Sequence, residues 1–138
     1  MLAYTQIPIG VGYATVLPDM DFETYSEAGF DYDEVTSKWV SVMGPGKKGG
    51  LPAVGAAVYA QHPSTEVLSL AYDLKDGLGR RLWVPGMPPP EDLFSHLNAG
   101  GLIEAHNCSF EYLIWRYVCY ERMGWPMIDY RNMRDSMA

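Results

Sequence analysis

The sequence predicts a single α/β domain built on one mixed sheet, and three observations carry that expectation. Its 138 residues suffice for one hydrophobic core. Hydrophobic residues make up 48% and aromatic residues 13% of the chain, more than a disordered polymer of this charge carries. Strand-like runs then alternate with segments of helical period, and helical crossovers between strands favour mixed strand directions.

In chain order, residues 1–16 are interrupted by Pro8, Gly10 and Gly12 and read as an irregular arm or a short edge strand. Leu17 to Ser26 reads as a strand, in which Asp21 and Glu23 share one face and Phe22 takes the other. A glycine-containing turn follows at Glu27 to Asp31. From Asp31 to Gly50 the chain is polar and then glycine-rich, and a mobile surface loop is expected at Met43 to Gly50. Its glycines and lysines do not match G-x-x-x-x-G-K-[ST], and no hydroxyl follows Lys48. If this loop has a role, Lys47 and Lys48 suit contact with a nucleic-acid backbone as point charges.

Pro52 to Gln61 is compatible with a helix or a strand, and periodicity does not decide between them. Glu66 to Asp73 and Arg80 to Val84 are β-rich runs around the turn signal Asp76-Gly77, so a hairpin is expected. Pro88-Pro-Pro90 presets a helix that begins with Glu91 and Asp92 and ends near Asn98, with Leu93, Phe94 and Leu97 on its apolar face. Leu102 to His106 is a short strand. The clearest helical period follows, with Phe110, Leu113, Ile114, Tyr117 and Val118 on one stripe, and Gly124-Trp-Pro126 ends it. Residues from Asn132 onward open one further element.

Net charge is -7 and the isoelectric point about 4.8, which argues against a broad basic surface that binds duplex DNA by counterion release. An acidic site that acts on nucleic acid through bound metal is compatible with both. Cys108 and Cys119 fall on one helix, roughly 16 Å apart at about 1.5 Å per residue, too far to pair. Two reduced cysteines and an N-terminus with neither a basic start nor a long apolar run point to a soluble cytoplasmic protein with no membrane partner.

Asp21 and Glu23 are the residues around which a site would form. Two carboxylates side by side repel and raise each other's pKa, a cost that a hard divalent cation with oxygen ligands removes. Glu111 flanks the apolar stripe in the first turn of its helix, just past the carboxyl end of a strand, where sites gather in α/β sheets.

Asp21-Phe-Glu-Thr24 resembles the D-x-E-T motif of the DEDD 3′-5′ exonucleases, and His106-Asn-Cys-Ser-Phe-Glu111 resembles their second motif, H-N-x-x-F-D. The similarity is to the exonuclease domain of phage-type DNA polymerases related to polymerase I, and it extends from about Asp21 to Arg134-Asp-Ser-Met-Ala138. It implies a ribonuclease H-like fold, a mixed sheet flanked by helices. It also implies two Mg²⁺ or Mn²⁺ ions with Asp21, Glu23 and Glu111 as ligands. Thr24, His106, Asn107 and Phe110 would contact the 3′ end of a single DNA strand, and in the whole domain the reaction serves proofreading.

Two departures qualify the match. Glu111 stands where the motif usually has Asp. The third motif, Y-x-x-x-D or H-x-x-x-x-D, does not follow Glu111, so a domain incomplete at its C-terminus is expected, with weak or no turnover and room for only one of the two ions. The single Y-x-x-x-D stretch, Tyr72 to Asp76, precedes the second motif in a hairpin turn, and Asp135 is expected to bond neighbouring backbone. Two alternatives stand beside the exonuclease: a non-catalytic module that binds nucleic acid or protein, such as a polymerase domain, or half of a split enzyme completed by another chain. An exposed edge after Ala138 would favour the latter.

Overall fold

The computed structural model describes residues 5–9 and 12–136, with side chains from residue 16 onward. Thr5–Ile9 (β1) and Gly12–Val16 (β2) form an antiparallel ribbon of their own, not an irregular arm or single edge strand. Pro8 is accommodated because a two-stranded ribbon leaves half of each strand's N–H groups unpaired.

Asp19–Tyr25 (β3) is the central strand of the main sheet. Glu66–Asp73 (β6) and Arg80–Trp83 (β7) make the expected hairpin beside it, and Ile103–Ala105 (β8) and Met133–Asp135 (β9) lie on its other side. The spatial order is β7-β6-β3-β8-β9. β3 runs antiparallel to β6 and parallel to β8, and β9 runs parallel to β8, so the sheet is mixed. The continuation sought after Ala138 lies outside the described residues.

Between β3 and β6 the chain departs from the expected loop. Phe30–Asp33 (β4) and Lys38–Ser41 (β5) pair as a second hairpin, with Tyr32 opposite Trp39 and their rings 5.3 Å apart, edge to face. Cross-strand aromatic pairing supplies what the polar sequence hides. The glycine loop after it is also tied down. Ser41 Oγ donates to the Lys48 carbonyl at 2.9 Å, and Gly49 lies so close against the Phe30 ring that a Cβ there would collide with it.

Leu51–Gln61 (α1) resolves the ambiguous segment as helix, broken at Gly55, whose φ of 82° only glycine adopts readily. Glu91–Asn98 (α2) starts after the prolines as expected. His96 on α2 is buried and lies 2.7 Å from the Leu102 carbonyl, which fixes the turn into β8. Cys108–Ile114 (α3) continues without a break through a π-helical segment, Trp115–Tyr120, and a last turn, Glu121–Met123 (α4).

The buried stripe of this long helix is Cys108, Glu111, Ile114, Trp115, Val118 and Cys119. Phe110, Leu113 and Tyr117 lie half-buried at its margin, so the apolar face is rotated from the one expected and Glu111 sits within it instead of beside it. Trp115, Val118 and Cys119, at i, i+3 and i+4, turn to the core together.

One face of the sheet supplies Met20, Phe22, Val67, Leu70, Tyr72 and Trp83 to the core. Against them Phe94, Trp115 and Trp125 form an aromatic hub, with Trp83–Trp125 centroids at 4.8 Å and Phe94–Trp125 and Trp115–Trp125 at 5.2 Å. Trp115 Nε1 donates to the Pro126 carbonyl at 2.7 Å, which brings the chain after α4 back onto the hub. The opposite face carries Asp21, Glu23, Arg80 and Leu82, all exposed. Among the described residues no helix is long and apolar enough to cross a membrane.

Trp115 is fully buried at the junction of helix and sheet, so Trp115→Ala is expected to cost about 3–5 kcal/mol. Trp39→Ala, at a residue 51% exposed, is expected to cost less than about 1 kcal/mol. Urea unfolding of both variants checks this, and similar midpoints would remove the hub from the centre of the fold.

Candidate functional site

The site begins with the shortness of β8. It pairs with β3 only at Asp19↔Glu104 and ends at Ala105, so the next part of the β3 edge has no strand beside it. A backbone N–H left there without a partner would be costly. Asn107 turns the chain into α3 and caps it, its Oδ1 accepting from the Phe110 amide at 3.3 Å. One turn on, Glu111 Oε2 accepts from the Phe22 amide at 3.1 Å. The helix thus completes the strand's hydrogen bonding with a carboxylate.

Asp21 and Glu23 flank Phe22 on the open face, both exposed. They act on Glu111 through space. Burial is the main cause that lifts the Glu111 carboxyl to about 8, the Asp21 charge adds to it and Glu23 adds less, while the Phe22 amide pulls the other way. Three carboxylates therefore form one coupled group on either side of a single strand residue. They do not stand as a closed set of ligands: among the described residues no group of three or more His, Cys, Asp or Glu is arranged to hold a metal ion. The donor chemistry is that of a hard cation's oxygen ligands, and the two exposed side chains would have to turn toward Glu111 to assemble it.

A cleft of about 450 Å³ opens next to this group, lined by Asp19, Asp21, Arg80, Glu104, His106 and Ser136 among others. It brings Asp21 of the first motif to His106 of the second, and His106 is exposed there. Arg80 Nη2 lies 2.8 Å from Asp19 Oδ1, and Lys75 Nζ 3.2 Å from Asp19 Oδ2, so Asp19 is neutralised while Asp21 carries no such pair among the described residues. Arg80, Glu104 and Ser136 went unremarked in the sequence. The similarity of Arg134 to Ala138 pointed near Ser136, but the other two show only when the sheet is assembled.

Thr24 and Phe110 meet through a residue the sequence did not single out. The Tyr59 hydroxyl of α1 lies 2.9 Å from Thr24 Oγ1, and its ring packs against Phe110 with centroids 5.7 Å apart. Alternation along β3 puts Thr24 on the face of Met20 and Phe22, toward α1, and the β3–β6 register shifts just before it, between Glu23 and Thr24. Asn107 is engaged as a helix cap. The Tyr72-to-Asp76 stretch is structural: the Tyr72 hydroxyl donates to Asp92 at 2.7 Å, and Asp76 pairs with Arg81 at 2.6 Å. Asp135 bonds backbone as expected, its Oδ2 accepting from the Cys108 amide at 3.4 Å.

The raised Glu111 carboxyl has a stability signature. Between pH 4.5 and about 8 the folded chain holds this proton while the unfolded chain has released it, so the stability from this group, full below that window, is lost as pH rises through it. Glu111→Gln keeps an acceptor for the Phe22 amide and removes the charge. It is expected to melt close to the wild type near pH 4 and several degrees above it at pH 8. A melting-temperature difference that does not change with pH would contradict the coupling.

No protein-family model matches the chain, and no curated protein or solved structure matches it significantly.

Proposed function

We propose that this chain is part of a metal-dependent 3′-5′ exonuclease domain of ribonuclease H-like fold, related to those of phage-type DNA polymerases and acting on single-stranded 3′ ends. The observation that carries the reading is the Glu111 carboxylate hydrogen-bonded to the amide between Asp21 and Glu23. It joins the two sequence motifs at one strand residue. The mixed sheet with the acid-bearing strand at its centre supports the fold assignment.

In this reading Asp21, Glu23 and Glu111 would supply oxygens to Mg²⁺ or Mn²⁺, and the cation's charge would offset the burial and the neighbouring acids that together lift the Glu111 carboxyl. A metal held there would supply a water of lowered pKa for attack on the terminal phosphodiester and charge stabilisation for the departing 3′ oxyanion. The chain's own residues position the strand end. His106 and Arg80 face the cleft beside Asp21, where a terminal nucleotide and its phosphate would lie. Tyr59 holds Thr24 and Phe110 on the other side of the acids.

The test is a 3′-labelled single strand incubated with Mg²⁺ or Mn²⁺, beside the double variant Asp21→Ala, Glu23→Ala. Slow metal-dependent shortening that the double variant loses by about a hundredfold or more is expected if turnover occurs. Shortening that survives in the double variant would sink the assignment. The non-catalytic reading predicts no shortening but a rise in melting temperature with metal that the double variant abolishes.

A further inference from the structure

We infer that the β4–β5 hairpin is a binding arm for single-stranded nucleic acid, with an unpaired base seated in the cleft between Tyr25 and Trp39. This rests on the exonuclease reading for the direction of the strand, but its own evidence is separate. A cleft of about 220 Å³ is lined by Tyr25, Ser26, Glu27, Phe30 and Trp39.

Three of its five lining residues are aromatic, and Tyr25 is 44% and Trp39 51% exposed. Tyr32, itself exposed, stands edge-on to Trp39 and extends the aromatic surface along the hairpin. Large exposed rings around an open apolar cleft form a stacking platform, sequence-tolerant because every base has a π face.

Exposed lysines next to the aromatic cleft point to an anionic strand as its partner. In a chain of net charge -7, the stretch from Val35 to Thr65 contains Lys38, Lys47 and Lys48 and no carboxylate. None of the three lysines forms an ion pair among the described residues, and all are exposed. The Lys47–Lys48 loop is held beside the cleft, through Ser41 Oγ on the Lys48 carbonyl and Gly49 against the ring of Phe30. The hairpin also carries acids: Asp31 and Glu34 are exposed, Asp33 is tied into the turn by the Val35 amide, and Glu27, which lines the cleft, accepts from the Tyr25 hydroxyl. Aromatic rings beside unpaired lysines are the combination that holds an unpaired, negatively charged strand.

Position supplies the continuity. Tyr25 lies two residues beyond Glu23 on the same face of β3, about 7 Å along the strand. A strand whose 3′ end reaches the acids can place a neighbouring base against Tyr25 and Trp39.

Trp39 is also its own reporter, because Trp83, Trp115 and Trp125 are only 5%, 0% and 4% exposed. The full chain is titrated in EDTA with unlabelled oligo(dT) of about ten nucleotides, reading tryptophan emission, and in parallel with the 5′-labelled strand, reading anisotropy. Quenched emission is expected in the wild type and not in Trp39→Phe, which still binds. Trp39→Ala is expected to raise Kd about tenfold or more, and the pair Lys47→Ala, Lys48→Ala to flatten the dependence of log K on log salt. The Phe and lysine variants carry the test if the Ala variant does not fold.

Binding without quenching, an unchanged Kd in Trp39→Ala, equal affinity for a blunt duplex, or self-association with no oligonucleotide binding would each overturn the inference. Quenching without 3′ shortening in Mg²⁺ would count against the exonuclease alone. Shortening that is indifferent to Trp39 would count against the binding arm alone.

Discussion

The hydrogen bond from the Phe22 amide to Glu111 is the constraint around which the molecule is arranged. It exists because β8 stops at Ala105, leaving the edge of the central strand open beyond its single bridge to Asp19. A water molecule or a neutral side chain would satisfy that amide more cheaply. A buried carboxylate instead keeps a group whose charged form is penalised by desolvation and by two neighbouring acids. In the proposed function that charge has a use, because a bound cation would offset the cost.

The aromatic hub fixes this geometry. Glu111 lies one helical turn before Ile114 and Trp115, and Trp115 packs on Phe22 with centroids 6.3 Å apart and against Phe94 and Trp125. The residue whose amide is bonded by Glu111 is thus the residue whose ring is held by the same helix. Strand and helix are joined twice within a few ångströms, once by a polar contact and once by an apolar one. The π-helical segment begins at Trp115, and that ring and Cys119 are both fully buried in the core. Displacing the helix would break both contacts together, so the site and the core have one mechanical origin.

Much of this was legible in the sequence because it depends on local pattern. Alternation around Phe22 set the faces of β3, the turn at Asp76-Gly77 gave the β6–β7 hairpin, and the prolines before Glu91 gave the start of α2. What remained hidden depends on distant partners. Nothing local shows that Tyr32 and Trp39 pair across a polar turn, that Arg80 reaches Asp19, or that Tyr59 reaches Thr24 from a helix interrupted at Gly55. Glu111 is the clearest case. Period alone put it beside the apolar stripe, and only the missing length of β8 gives an acid a reason to be buried.

The same constraint accounts for glutamate at position 111. An aspartate is shorter by one methylene, so its carboxylate would fall roughly 1.5 Å short of the Phe22 amide unless the helix moved in. The helix has no room to move in, because Ile114 and Trp115 are already fully buried against the sheet. With this helix-to-strand spacing, glutamate is the acid that reaches the strand edge while the aromatic contacts stay closed. The extra methylene brings the Glu111 carboxyl to the Phe22 amide, between the neighbours Asp21 and Glu23 that stand exposed on the open face of β3.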